Sequence, residues 1–316
     1  MRAAVIHEYG TPDVLKIEEI PDPVPGPKEV LIRVHASSIN PIDWKIRNGS
    51  LRFLIGRGFP KLLGFDLCGR VKSTGAGADK FQKGDWVYAR SDRKTGQAYA
   101  ELVVTSEDTL AIKPEALSAG EAAAIPLAGL TALQALRDHG GFQRGHNVLV
   151  LGASGGVGSF AVQIARALGA TVTGVCSGAN RELVMSLGAR RVIDYRMENV
   201  LEAGEKYNVI FDAVARYGFP KTRPLLTEEG SYVTTLPSLA VIFAMFIGNY
   251  FSRKKARFFR VKPLGRDLEL LSGLVAQGKL KPAIDSRFPL SQIAQAHRHS
   301  ESHRAQGKII VEIEGE

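Results

Sequence analysis

Cysteine is nearly absent: the 316-residue chain has two, Cys68 and Cys176. A disulfide framework and any multi-cysteine zinc site are thereby excluded. Long apolar runs are missing as well. The longest covers 239–251, short of the ~20 residues that span a bilayer. The N-terminus carries a base at Arg2 and an acid by Glu8, and it lacks the apolar core of a secretory signal. A reducing cytoplasm is therefore the expected compartment. Acid is scarce too, with 32 Asp and Glu against 41 Lys and Arg, a net charge of +9. Such an excess of base suggests nucleic acid, an anionic membrane or a phosphate-bearing ligand. No nucleic-acid-binding element is visible in the sequence, so no nucleic-acid partner is expected.

Apolar residues make up 45% of the chain, ample for a sizeable core, and the length suits about two domains. The first third reads as short strands, at 30–36, 65–71, 86–89 and 98–104. Pro21, Pro23, Pro25 and Pro27 keep the stretch before them extended or turning. This texture suggests a barrel or compact β domain. It changes at Ser118 and Glu121, which read as a capping box opening a helix. Strands at 147–152, 171–176, 192–193, 209–211 and 232–234 then alternate with helices at 157–168 and 180–187, the pattern of a parallel, doubly wound sheet. Helices at 267–276 and 293–300 and a strand at 308–313 close the chain.

The strongest chemical signal follows the apolar strand 148–151. Gly152, Ala153, Ser154, Gly155, Gly156, Val157 and Gly158 turn the chain straight into a helix. Small residues let backbone N–H groups approach a pyrophosphate, the helix N-terminus adds partial positive charge, and Gly158 allows close helix–strand packing. An NAD site usually carries an acid at the end of the next strand. Here that position reads Cys176-Ser177-Gly178-Ala179-Asn180-Arg181. Ser177 and Arg181 can meet a 2′-phosphate, which favours NADPH. The plainer reading makes Arg181 a solvated helix base and Ser177 a cap.

Several stretches resemble the medium-chain dehydrogenases/reductases, in their zinc-independent, quinone oxidoreductase-like branch. They are residues 125–132, the 152–158 loop, Ser186-Leu187-Gly188-Ala189 with Val192-Ile193-Asp194-Tyr195, Asn40-Pro41-Ile42-Asp43-Trp44-Lys45, Gly64-Phe65-Asp66-Leu67-Cys68-Gly69-Arg70-Val71, and Gly307-Lys308-Ile309-Ile310-Val311. The resemblance implies an α/β fold. A doubly wound Rossmann dinucleotide-binding domain, 122–263, would be inserted in a GroES-like β-barrel catalytic domain, 1–121 and 264–316. It also implies Thr131 near the nicotinamide, Ser177, Arg181 and Tyr195 around the 2′-phosphate, and a homodimer. Zinc-dependent relatives place a Cys within the motif matched here by 40–45, and Gly-His-Glu where this chain has Gly64-Phe65-Asp66. Neither ligand is present, so no metal site is expected.

Hydride transfer without a Lewis acid suits a quinone, or an enone or 2-alkenal, whose charge delocalises over a conjugated system. Candidate catalytic groups are Asn40, Asp43 and Lys45. Lys45 could hydrogen-bond the substrate carbonyl, Asn40 could do so or hold the nicotinamide ribose, and Asp43 could position Lys45. The alternative for Asp43 is a helix cap, and for Lys45 a solvated base. A low-turnover NADPH-binding sensor or structural protein is the reading from another class. His297, His299 and His303 read as a solvated helix end. Between Ser231 and Arg266 there is no acid, and seven bases follow the apolar run 239–251. Segment 239–266 then has three readings: a helix packing a cleft wall or dimer contact, a substrate lid, or a weak peripheral contact with anionic membrane.

Overall fold

The computed structural model describes residues 1–236 and 238–313; the last three residues of the expected 264–316 segment lie outside them. The chain divides into two compact units. One comprises Met1–Leu130, Pro263–Gln277 and the chain from Pro282 on; the other is Thr131–Lys262 with Gly278–Lys281. The first break falls inside the helix Pro126–Gln134.

The first unit opens with strands β1 (Arg2–Ile6), β2 (Lys16–Glu19), β3 (Glu29–Ser38), β4 (Lys61–Leu62), β5 (Asp66–Thr74), β6 (Trp86–Arg90), β7 (Leu102–Ser106) and β8 (Leu110–Ile112). The second holds β9 (Asn147–Leu151), β10 (Thr171–Cys176), β11 (Arg191–Asp194), β12 (Tyr207–Asp212), β13 (Leu226–Thr234) and β14 (Lys255–Phe258). Strands β15 (Ile284–Pro289) and β16 (Lys308–Glu312) return to the first.

β3 organises the first unit. It pairs antiparallel with β5, β7 and β16. Its apolar residues Val30, Ile32 and Val34 enter a core with Ile6, Phe65, Leu67, Tyr99, Ile309 and Val311. The β16 register sets Ile310 opposite Ser38, and the β5 register sets Cys68 opposite Ala36. Both registers carry polar residues to the C-terminal end of β3. The expected strand at 98–104 begins only at Leu102. Residues 98 and 99 instead bond back to Gly64 and Leu63, and Ala100 makes a lone bridge to Ala3.

The second unit is a six-stranded parallel sheet in the order β11-β10-β9-β12-β13-β14. Numbered within the unit this is 3-2-1-4-5-6, the Rossmann order expected from the strand–helix alternation. Buried apolar residues on β9, β10, β12 and β13 supply its core. Cys68 and Cys176 are free thiols buried in their strands.

Candidate functional site

The second unit builds a cradle where β9 ends. Gly152 has φ +81°, and its N–H and that of Ala153 both donate to Val175 O on the neighbouring strand. A left-handed residue without a side chain makes this turn possible. The helix Gly156–Ala167 then begins with Gly155 as its N-cap. A Cβ at Gly158 would come within 2.0 Å of Gly152 O, so only glycine lets helix and turn approach this closely. A Cβ at Gly155 would meet only Gly152 O, at 3.5 Å, which leaves the front of the turn open. The first-turn N–H groups of Gly156, Val157 and Gly158 have no helical acceptor and carry the positive end of the helix dipole. This donor set fits a pyrophosphate.

The turn after β10 lies beside the cradle. Asn180 Nδ2 donates to Ser154 Oγ at 2.9 Å, while Asn180 Oδ1 is buried with no hydrogen-bond partner among the described residues. Ser177 caps the short turn Gly178–Asn180, and Arg181 opens the next helix with one guanidinium nitrogen donating to Val192 O. Tyr195 follows β11 and is flanked by cations. The Arg216 guanidinium lies 4.4 Å from its ring centroid and that of Arg196 5.9 Å. Arg216 is delivered by the loop after β12, which Asp212 fixes by accepting the N–H groups of Val214 and Ala215.

Arg196 and Arg216 were not legible in the sequence, because their place depends on β11 and β12 ending at one edge of the sheet. An acid is also near. A Cβ at Gly178 would come within 2.4 Å of Asp194 Oδ2, so this carboxylate from β11 lies against the Ser177 turn. The end of β10 itself carries no acid; its neighbour supplies one. Thr131 is buried in the helix Pro126–Gln134.

The first unit holds a buried polar cluster at the end of β3. Asn40 N-caps the helix Pro41–Arg47, and its backbone N–H donates to Asp43 Oδ2 at 2.7 Å. Asn40 Nδ2 donates to Asp66 Oδ2 at 2.8 Å, and its amide oxygen accepts from Lys308 Nζ at 2.6 Å. Asp66 also accepts from the Ser38 hydroxyl and from Leu127 N–H. Tyr99 donates its hydroxyl to Asp43 at 2.8 Å. Gly64, at φ +96°, makes room for that ring, since a Cβ there would lie 2.5 Å from Tyr99 Cδ1. Burial pushes the Asp43 carboxyl up to about 7, against the opposing pull of the Tyr99 hydroxyl and the Asn40 N–H. Burial also pushes the Lys308 ammonium down, with Asp66 opposing it.

Asn40 and Asp43 therefore come together, and Lys45 does not join them. The Asp43 carboxylate is engaged by Asn40 and Tyr99, and its Oδ1 has no hydrogen-bond partner among the described residues. Asp43 is thus placed as a helix cap rather than as a partner of Lys45. Lys45 is half-buried, with Nζ 5.5 Å from the Trp44 ring centroid, and burial lowers its ammonium below the usual lysine range. Tyr99, Asp66 and Lys308 were not among the sequence candidates. The signal that could have found them is polarity inside apolar strand patterns, above all a lysine beside Ile309-Ile310-Val311. The histidine cluster also reads differently in the fold. His297 is fully buried, and neither ring nitrogen has a hydrogen-bond partner among the described residues. His299 is bonded to Asp285 at 2.6 Å.

Residues 26–122 match the family described as alcohol dehydrogenase GroES-like domain, and 187–311 match zinc-binding dehydrogenase. The chain is 36% identical to a chloroplast envelope quinone oxidoreductase homolog of Arabidopsis thaliana, over 99% of this chain and 98% of that protein. It is 34% identical to an NADPH-dependent alkenal/one oxidoreductase of the same plant, over 98% of this chain and 79% of that protein. A quinone oxidoreductase structure from Coxiella burnetii superposes with TM-score 0.91 at 32% identity, covering 99% of both chains. The chain belongs to the medium-chain dehydrogenase/reductase family, in its quinone oxidoreductase-like branch.

Proposed function

We propose that this protein is an NADPH-dependent oxidoreductase that reduces a quinone without zinc. The observation that carries the reading is the Gly152–Gly158 cradle with Ser177, Arg181, Tyr195, Arg196 and Arg216 grouped beside it. NADPH, when bound, supplies the hydride. The chain's part is to bind, orient and stabilise. The N–H groups at the start of the 156–167 helix hold the pyrophosphate, and the arginines around Tyr195 meet the 2′-phosphate. Thr131 is assigned to the nicotinamide end.

On the substrate side we assign Lys45 to the developing negative charge on the substrate oxygen. It has no acceptor among the described residues, and partial desolvation strengthens what its ammonium can donate. Asn40 and Asp43 act as positioning residues that fix the helix carrying Lys45. The donor set supports a reaction without zinc. Asp66 already accepts from Ser38, Asn40 and Leu127, and the Lys308 ammonium lies 3.4 Å from it, where a dication would be repelled.

We keep 1–121 with 264–316 as the catalytic domain and 122–263 as the cofactor domain; the GroES-like match ending at 122 supports the first limit. We also propose a homodimer in a reducing compartment such as the cytoplasm, the latter supported by two buried free thiols. The likeness to an alkenal/one oxidoreductase supports a second reading, reduction of an enone or 2-alkenal in the same site. The test is steady-state NADPH oxidation with a panel of quinones, enones and alkenals. Turnover with quinones is expected. Turnover with alkenals alone selects the second reading, and tight NADPH binding without turnover selects a sensor.

A further inference from the structure

Between the helix Pro41–Arg47 and β4 the chain folds into a short projection of the first unit. Gly49 N–H donates to Ile46 O, Leu51 N–H to Lys45 O at 3.3 Å and Arg52 N–H to Gly49 O, so one turn leads directly into the next. A last helical turn, Arg52–Ile55, ends at Gly56, whose N–H donates to Arg52 O. Leu51 and Ile55, four residues apart, pack against the unit's core. Phe53 and Leu54, between them, do not: Phe53 is 85% exposed and Leu54 73%. Neither gains from its own unit the burial that contact with an apolar ligand would supply.

The feet of the projection are fixed. The Tyr9 hydroxyl donates to Gly56 O, and the Tyr9 ring packs edge-on against Phe59 with centroids 5.0 Å apart. Lys61 Nζ lies 4.5 Å from the Phe59 centroid and 5.6 Å from that of Tyr9, and it donates to Gly58 O. At the other foot a Cβ on Gly49 would stand 3.1 Å from Tyr9 Cγ. Tyr9 thus braces both ends, which holds the tip in place relative to the helix that carries Lys45. At the tip the Arg52 guanidinium lies 5.0 Å from the Phe53 ring centroid, and the rest of that ring and Leu54 are open to solvent.

Reach and size point to the occupant. Phe53 follows two residues after Leu51, whose N–H is bonded to Lys45 O, and two residues span at most about 7 Å. A substrate whose oxygen meets Lys45 therefore carries its substituents within reach of both side chains. Two side chains of this kind offer a few hundred Å² of apolar surface, the order of one alkyl or prenyl tail. A stable protein partner covers about 800 Å² on each side.

We propose that Phe53 and Leu54 hold an apolar tail of the substrate, so that the protein prefers a quinone bearing an alkyl or prenyl tail to the bare ring. This rests on the assignment of Lys45 to the substrate oxygen. The test uses one benzoquinone ring carrying hydrogen, a five-carbon prenyl group or a ten-carbon alkyl chain, each kept below its solubility limit. Two quantities are read for each: KM at saturating NADPH, and binding without turnover, from quenching of tryptophan fluorescence, since Trp44 lies beside Lys45. KM is expected to fall about tenfold from the bare ring to the prenylated one, the effect of one methylene in a closed pocket, because the tail is gripped on one side only. Phe53→Ser with Leu54→Ser removes that difference while far-ultraviolet circular dichroism stays unchanged. Phe53→Leu with Leu54→Phe keeps it. Val24→Ser, at a residue 85% exposed elsewhere in the same unit, also keeps it. Equal KM values across the series in the parent chain overturn the proposal, and so does a tail preference that survives in the double serine variant. No turnover of any quinone, with tail-dependent quenching present in the parent and lost in the double serine variant, overturns the reductase reading and supports the tail contact. No turnover with quenching equal across the series overturns both.

Discussion

The Lys308 ammonium lies 2.6 Å from the amide oxygen of Asn40, tying the last strand to the first turn of the helix that carries Asp43 and Lys45. The two residues are 268 positions apart and meet because β16 pairs with β3 in a register that sets Ile310 opposite Ser38. Asp66 completes the link, accepting from Asn40 and lying 3.4 Å from Lys308.

Replacing Lys308 by Met removes the buried cation 3.4 Å from Asp66 and leaves that carboxylate uncompensated. Breaking a buried pair in this way costs about 3–5 kcal/mol. Urea unfolding is expected to show a loss of that order. A loss below about 1 kcal/mol, the range of an exposed pair, contradicts this role for Lys308.

Asp43 gives the chain a specific pH response. Its carboxyl is held at about 7 in the folded chain against 3.8 for an ordinary aspartate. The folded state thus keeps a proton that the unfolded state has lost. The resulting stability is complete below about 3.8 and disappears as pH rises through about 7. Burial of this carboxyl outweighs the Tyr99 hydroxyl, the Asn40 N–H and the Lys308 ammonium, which all pull it down, and the neighbouring Asp66 charge adds to the rise. Asp43→Asn keeps an oxygen for both the Asn40 N–H and the Tyr99 hydroxyl. Thermal midpoints should show this variant losing less stability than the parent as pH rises from acid to neutral. Parallel pH curves for the two proteins exclude a raised Asp43.

His297 acts in the opposite direction. Burial, with Arg47 adding to it, pushes its imidazole down to about 3 from 6.5. The folded chain holds it neutral, so its contribution is present above 6.5 and is lost as pH falls towards 3. Among the described residues no hydrogen bond holds either nitrogen, and the ring packs edge-on against Tyr99 at 5.7 Å. His297→Phe should keep the fold and lessen the acid-side loss of stability. Thermal unfolding from neutral to acid pH checks this, and an unchanged acid slope speaks against it.

The glycine cradle was legible because strand, turn and helix follow one another within about a dozen residues, so local spacing carries the geometry. The parallel sheet was legible for the same reason: its first two strands, β9 and β10, are each followed by a helix. The polar cluster was not. Asp43, Asp66, Tyr99 and Lys308 are brought together by the pairing of β3 with β5 and β16, and register between distant strands leaves no local mark. For Asp43 the sequence leaves open a partner of Lys45 and a helix cap, and the structure gives the cap; Asn40, expected at the substrate carbonyl or the nicotinamide ribose, is the N-cap whose N–H that carboxyl accepts. The histidines at the chain's end differ because His297 faces the core while His299, on another side of the helix Ile293–Glu301, and His303, beyond its end, do not.

In the proposed function Arg216, beside Tyr195, and Arg181, at the start of the helix after β10, meet the 2′-phosphate that NADPH carries and NADH lacks. Arg216→Ala and Arg181→Ala are each expected to raise KM for NADPH about tenfold, the size of one charge-assisted contact, while KM for NADH changes little. Asp194→Asn should shift preference further towards NADPH by removing a carboxylate beside the Ser177 turn. Initial rates with both cofactors in each variant decide this. Equal effects on NADPH and NADH would mean these residues do not touch the 2′-phosphate.

The central claim is reduction by NADPH without a bound metal. Its most direct measurement is kcat/KM for NADPH and for NADH with one quinone acceptor, each with and without a strong chelator. A clear preference for NADPH that the chelator leaves unchanged is expected. Preference for NADH, or activity lost to the chelator and restored by zinc, would contradict it.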